Sequence, residues 1–304
     1  MRLDAAETAR KLPYSELVAE IARVARQSAS GAVSAPERLV VPLGNNASLL
    51  CMPAVAPDIG ITKIITVHQQ NARAGLPGIQ GEVIVFDVAT GRRLMMLDGP
   101  TVTARRTAAV TLLAIERLAA RPPRNALLIG TGVQAEAHLE ALFEYFQIRS
   151  FCVAGRELMS AVRFCEKLRA THPDVETTPV AVSSLDPTGV GSDVVIALTT
   201  SRTPVIPPHL PACTLAIGVG AFRPEMAELP EELLRTRRIV VDHLKGAEHE
   251  AGDLLQAGVD WSQVTELSQL LEREVAPQSG SYAFKSVGHA SWDLAAARVA
   301  LRHL

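Results

Sequence analysis

Asn125-Ala126-Leu127-Leu128-Ile129-Gly130-Thr131-Gly132-Val133-Gln134-Ala135 carries four apolar residues into a glycine turn and then into a helical pattern. That order, strand then turn then helix, is the context a dinucleotide fingerprint of the form Gly-x-Gly-x-x-Ala requires. Gly130 permits the tight turn, and Gly132 lets a pyrophosphate approach the backbone N–H groups at the helix N-terminus. Ala135 keeps the helix close to the sheet. Plain strand-helix turns and methyl-donor sites use similar glycines, so the turn alone does not name its ligand.

Downstream of the turn, strands alternate with helices in the doubly wound manner. The expected strands are Phe151–Ala154, Pro179–Val182, Asp193–Leu198, Thr214–Ile217 and Arg238–Asp242. Upstream the texture differs. Asp4 and Glu7 have capping-box spacing, and Leu17, Ile21, Val24 and Ala25 share one helical face, so the chain opens with helices. Five short strands follow, at Arg38–Pro42, Ser48–Met52, Ile61–Val67, Glu82–Asp87 and Arg93–Leu97, with turns at Gly44-Asn45-Asn46, Pro77-Gly78 and Thr90-Gly91. These form a meander without crossover helices. Thr101–Ala120 reads as a helix, and Arg121-Pro122-Pro123-Arg124 punctuates the chain before the central strand. The expected fold is α/β: residues 1–120 as an α+β domain, residues 121–287 as a Rossmann-type domain, and an Ala-rich helix over 288–304 folding back onto the first.

The 304 residues are 48% hydrophobic and 20% charged, with a net charge of −2, which describes a globular chain without the basic field that nucleic acid or an anionic membrane attracts. Met1–Glu7 lacks the apolar core of a signal peptide, and no apolar run approaches the roughly 20 residues of a membrane helix, so the expected location is the cytoplasm. Cys51, Cys152, Cys165 and Cys213 are scattered without metal-ligand or disulfide spacing, and the histidines show none either; no metal site is expected.

At the end of the second strand, where Asp or Glu usually reads a free ribose 2′-hydroxyl, the chain has Ala154-Gly155-Arg156. A planar guanidinium suits a 2′-phosphate, which favours NADPH, with NADH possible; the alternative is a solvated Arg156 with Glu157 as the ribose acceptor. In the first domain, Arg38, Lys63 and Arg106 are cations among apolar residues. Lys63 lies inside a strand, so its side chain either faces solvent or enters a polar pocket, and spacing does not choose between them.

Together these segments resemble the ornithine cyclodeaminase/mu-crystallin family. The likeness spans nearly the whole chain and rests on several motifs in register. They are Lys63 with Asn71 and Pro77, Thr103-Ala104-Arg105-Arg106-Thr107-Ala108-Ala109, Gly130-Thr131-Gly132-Val133-Gln134-Ala135, Thr199-Thr200-Ser201-Arg202-Thr203-Pro204, Glu250-Ala251-Gly252-Asp253 and Phe284-Lys285-Ser286-Val287-Gly288. The resemblance implies a homodimer whose first domain supplies the substrate pocket and the subunit interface. It implies that Arg38, Lys63 and Arg106 meet the substrate carboxylate or the reacting centre, with Lys63 supplying a proton or polarising the imine. It also implies that Thr199, Ser201, Val287 and Gly288 wall the nicotinamide, beside a cofactor cradle at Gly130–Ala135 and Arg156. Members that cyclise ornithine look to carry an acid at the position of Phe222. An arene cannot accept the proton that must leave before ring closure. The expected activity is therefore NADPH-dependent reduction of a cyclic 2-imino acid, Δ1-piperideine-2-carboxylate or Δ1-pyrroline-2-carboxylate. Ornithine cyclodeaminase, an open-chain amino-acid dehydrogenase and a non-enzymatic binding protein are the alternatives.

Overall fold

The computed structural model describes residues 1–44, 47–68, 70–186, 191–272 and 281–304. The expected turn residues Asn45 and Asn46 lie outside the described residues. The chain divides into two compact units, Met1–Ala109 with His289–Leu304, and Val110–Gly288.

In the first unit, α1 (Ala5–Arg10) starts on a capping box between Asp4 and Glu7, and α2 (Tyr14–Ala29) buries Leu17, Ile21, Val24 and Ala25 on one face. Five strands follow, β1 (Leu39–Gly44), β2 (Ala47–Val55), β3 (Ile59–His68), β4 (Ile79–Asp87) and β5 (Arg93–Asp98). Each pairs antiparallel with the next, giving the expected meander in the order β1-β2-β3-β4-β5. Helix α3 (Gly99–Leu118) is capped by Asp98, whose carboxylate accepts from the Thr101 N–H at 2.9 Å.

In the second unit, β6 (Asn125–Ile129) leads through the glycine turn into α4 (Val133–Phe146), followed by β7 (Ser150–Gly155), α5 (Leu158–Thr171) and β8 (Glu176–Ala181). Then come β9 (Val194–Ala197), β10 (Leu215–Gly218), α6 (Glu231–Leu234), β11 (Arg238–Val241), α7 (Leu244–Glu250), α8 (Gly252–Gln256), β12 (Thr265–Glu266), α9 (Leu267–Glu272) and β13 (Tyr282–Lys285). The parallel sheet has the order β12-β11-β13-β10-β9-β6-β7-β8. Its arm from β6 through β7 to β8 and the reversal from β6 to β9 create the switch point at which dinucleotides bind in such sheets.

The chain ends in α10 (Ala290–Arg302), grouped with the first unit and packed against α2, β2 and β3. Every residue from Ala290 to Ala300 is buried, since its small alanines let the helix lie close to sheet and helix together.

Three departures from the sequence-based expectation have physical causes. The units divide within α3, well before the Arg121-Pro122-Pro123-Arg124 punctuation, because the later turns of this helix belong with the parallel sheet's own unit. Thr111 Oγ1 hydrogen-bonds the His138 ring at 2.9 Å, and Tyr145 donates to Glu116 at 2.8 Å. The crossover from β9 to β10 carries no helix, as Pro204, Pro207, Pro208 and Pro211 interrupt it. Strand β13 was not expected. It is only four residues long, ends on a lysine, and inserts between β10 and β11 although it is last in sequence.

Candidate functional site

In the first unit, β3 directs Lys63 to the covered face of the sheet and α3 presents Arg106, while the first turn of α10 supplies Asp293. Lys63 is 1% exposed and Asp293 is fully buried. Lys63 Nζ stands 2.8 Å from Asp293 Oδ2, and Arg106 Nε donates to Asp293 Oδ1 at 3.2 Å. Of the two environments the sequence allows for Lys63, the enclosed polar one is realised.

Among the described residues, the two buried cations Lys63 and Arg106 meet one buried carboxylate, Asp293. The positive charge of the half-buried Arg38 is also felt at Lys63. Desolvation lowers the Lys63 pKa to about 8; Asp293 opposes the shift, and the Arg106 and Arg38 charges add to it. Arg106 Nη1 and Thr103 Oγ1, one helical turn apart on α3, are buried without a hydrogen-bond partner among the described residues. A desolvated guanidinium nitrogen without an acceptor is costly unless a ligand supplies one, and a surplus of buried cations selects an anion. A small oxyanion, such as a carboxylate, satisfies both.

Asp293 was not singled out from sequence. Its signal was faint but present: one acid among Ala290, Leu294 and Ala295–Ala297, on a helix buried over most of its length.

In the second unit, the glycine turn has the shape the motif requires. Gly130 has φ +124°, and a Cβ there would stand 2.7 Å from the Leu198 carbonyl oxygen. A Cβ on Gly132 would meet nothing within 4 Å, so the space above the start of α4 is open. Gly132 caps α4 without a side-chain hydrogen bond, leaving first-turn N–H groups for an anionic ligand. Thr131 is half-buried, Val133 is 70% exposed, and Ala135 is fully buried under the turn. The Gln134 side-chain oxygen is buried with no partner among the described residues. A cradle open at Gly132 and closed at Gly130 and Ala135 fits a dinucleotide pyrophosphate.

Arg156 directly follows β7, is exposed, and makes no ion pair among the described residues. Glu157 is also exposed and offers no side-chain cap to α5. Around the other edge of the switch point, Thr199 donates through N and Oγ1 to Glu228 at 2.6 and 2.9 Å. Ser201 closes a local turn, its Oγ donating to the Thr203 carbonyl at 2.6 Å. The Val287 and Gly288 N–H groups donate to Asp242 at 3.0 and 2.9 Å. Thr199, Val287 and Gly288 therefore hang on buried acids, Glu228 and Asp242, that sequence reasoning missed.

Phe222 is half-buried, with the Arg223 guanidinium 5.6 Å from its ring centroid. The neighbouring acid Glu225 is exposed and lies 4.0 Å from Arg223. No helix among the described residues is long and apolar enough to cross a membrane.

Among curated proteins, Δ1-pyrroline-2-carboxylate reductase 2 of Burkholderia ambifaria is 45% identical over 98% of this chain and 94% of its own. The Δ1-pyrroline-2-carboxylate/Δ1-piperideine-2-carboxylate reductase of Azospirillum brasilense is 44% identical over 98% of this chain and 94% of its own. Among solved structures, the Δ1-pyrroline-2-carboxylate reductase of Thermococcus litoralis, in complex with NADH and L-proline, superposes with a TM-score of 0.89 at 26% identity, covering 100% of this chain and 98% of that one. The sequence pattern of the ornithine cyclodeaminase/mu-crystallin family matches residues 1–302, and with motifs, fold and relatives in agreement the chain belongs to the ornithine cyclodeaminase/mu-crystallin family.

Proposed function

We propose that this protein is an NAD(P)H-dependent oxidoreductase that reduces cyclic 2-imino acids, Δ1-pyrroline-2-carboxylate or Δ1-piperideine-2-carboxylate, to proline or pipecolate. The observation that carries this reading is that, among the described residues, buried Lys63 and Arg106 share the one carboxylate of Asp293 and an Arg106 nitrogen has no acceptor. Arg38 and Arg106 would hold the substrate carboxylate, and positioning of this kind supplies much of the rate in such a reaction. Lys63, with its pKa near 8, would hold the proton that the imine nitrogen takes up. A bound NAD(P)H supplies the hydride. Gly130–Ala135 would hold its pyrophosphate, and Arg156 favours the 2′-phosphate of NADPH over NADH. Thr199, Ser201, Val287 and Gly288 would line its nicotinamide end.

Phe222 supports reduction of a ring that is already closed, since neither it nor the exposed Glu225 offers a buried carboxylate to a distal amine. The relatives named as reductases of these two imines support the same substrate class.

A homodimer belongs to the proposal. Edge strand β1 is exposed at all six residues, with Leu39, Val40, Val41 and Leu43 between 39% and 61% exposed. Soluble proteins cover or blunt such an edge, and a second copy would cover it.

The testing experiment compares initial rates of both cyclic imines with NADPH and NADH, alongside ornithine with NAD. Imine reduction should dominate, faster with NADPH. Faster release of ammonia from ornithine would replace this reading with cyclodeamination.

A further inference from the structure

Glu228 is a fully buried carboxylate whose two oxygens are both saturated. Oε1 accepts from the Thr199 N–H and hydroxyl at 2.6 and 2.9 Å, and Oε2 accepts from the Gly220 and Ala221 N–H groups at 2.8 and 3.0 Å. These donors belong to the segments that follow β9 and β10, so one side chain joins two loops at the C-terminal edge of the sheet.

The segments touch closely at this point. A Cβ on Gly220 would fall 2.0 Å from the Thr199 carbonyl oxygen, so only glycine lets the second loop reach the first.

Glu228 is itself held from below. Asp253 Oδ1 accepts from the backbone N–H groups of Glu228 and Leu229, and Asp253 Oδ2 lies 2.6 Å from Lys285 Nζ. Lys285 Nζ is 3.9 Å from Glu228 Oε2. Gly252 packs equally tightly under the loop that contains Phe222, where an added Cβ would meet the Met226 and Arg223 carbonyl oxygens at 2.1 and 2.4 Å. The segments Glu250–Asp253 and Phe284–Gly288, remote in sequence, thus meet beneath the Thr199 and Gly220 loops.

Two acids share one lysine in a place without solvent. Burial holds the Glu228 pKa above the usual carboxylate range; the Lys285 charge opposes this, the Asp253 charge adds to it, and the Thr199 and Ala221 N–H donors favour the ionised form. A buried network of this kind is weak evidence for stability, because well-packed apolar side chains would serve stability at least as well. What it supplies is placement.

We propose that Glu228 is a positioning residue for the nicotinamide end of the cofactor, fixing Thr199 against the Gly220–Ala221 turn and through that turn fixing Phe222. This inference rests on the dinucleotide reading given under Proposed function. Four donors converging on two oxygens require a carboxylate. Glutamine offers one acceptor oxygen and turns its own N–H groups toward the other pair of donors, so one of the two loops is released. Aspartate keeps both acceptors on a stem one methylene shorter.

The test uses the full-length protein and two ligands that differ at the relevant end. ADP-ribose, or its 2′-phosphate, contains the adenosine and pyrophosphate but no nicotinamide; NAD(P)H contains all three. In Glu228→Gln, the Kd for the nicotinamide-free ligand should stay within about twofold of the unmodified protein, whereas the Kd and KM for NAD(P)H should rise about tenfold, the loss expected when hydrogen bonds to a charged group are broken. Glu228→Asp should fall between Gln and the unmodified protein, and it serves as the folded comparison if the Gln variant does not fold. Equal loss of both ligands in either variant, or an Asp variant no better than Gln, overturns the positioning role. If the unmodified protein binds neither ligand, the dinucleotide reading fails and takes this inference with it.

Discussion

Asp293 Oδ2 stands 2.8 Å from Lys63 Nζ with both side chains shut off from water, so this carboxylate holds the proton on the lysine against desolvation and the Arg106 and Arg38 charges. If Lys63 donates the proton, the donor must keep it, and kcat/KM for the imine should fall as pH rises above about 8. Removing the carboxylate in Asp293→Asn disfavours the ammonium form, so the falling limb should move to lower pH. A limb that stays fixed or moves upward in that variant excludes Lys63 as its origin.

Arg106 should matter through its geometry as well as its charge. Arg106→Ala leaves a substrate carboxylate with an incomplete partner set in a desolvated site and should cost roughly 2–5 kcal/mol in transition-state stabilisation, read as kcat/KM. Arg106→Lys should recover little, because the planar fork is lost although the charge remains. A change within about threefold for Arg106→Ala, well under the tenfold that 1.4 kcal/mol represents, would place the clamp elsewhere.

Arg156→Ala tests cofactor choice. The exposed guanidinium at the end of β7 would contact only the 2′-phosphate, so the KM for NADPH should rise about tenfold or more while that for NADH barely changes. Equal effects on the two cofactors would return the ribose to Glu157.

His138 predicts an acid-sensitive fold. Its ring is 1% exposed and bonded to Thr111 and to the Gln134 carbonyl, and burial lowers its pKa from 6.5 to about 4. Between these two values the unfolded chain binds a proton that the folded chain refuses. The stabilisation is therefore present above about pH 6.5 and is lost as pH falls toward 4, on the order of 3 kcal/mol in total. Urea unfolding at pH 7.5 and pH 5 should show the loss, and His138→Gln should flatten it. An unchanged pH slope in that variant would assign the effect to other groups.

The β1 edge predicts the assembly state. Sedimentation of the unmodified protein should give twice the chain mass of 32.5 kDa, and Leu39→Glu with Val41→Glu, two residues apart on one face of the regularly paired part of the strand, should shift it toward the single-chain mass. An unmodified protein that sediments as a single chain removes the dimer from the proposal.

Features encoded in a few neighbouring residues were legible in the sequence. The capping box at Asp4 and Glu7, the meander from β1 to β5 and the strand entering Gly130 each depend on local spacing, which periodicity and turn chemistry report directly. The cations Lys63 and Arg106 could be named, yet whether Lys63 faced solvent or a pocket could not be read from a single strand. What only the tertiary structure decided are contacts across long separations in the chain: Asp293 reaching Lys63, Lys285 reaching Asp253, Glu228 joining Thr199 to Gly220, and β13 slipping between β10 and β11. A buried acid has no local signature, because the groups that compensate its charge are brought to it only when distant elements pack, and that compensation is what makes its burial tolerable.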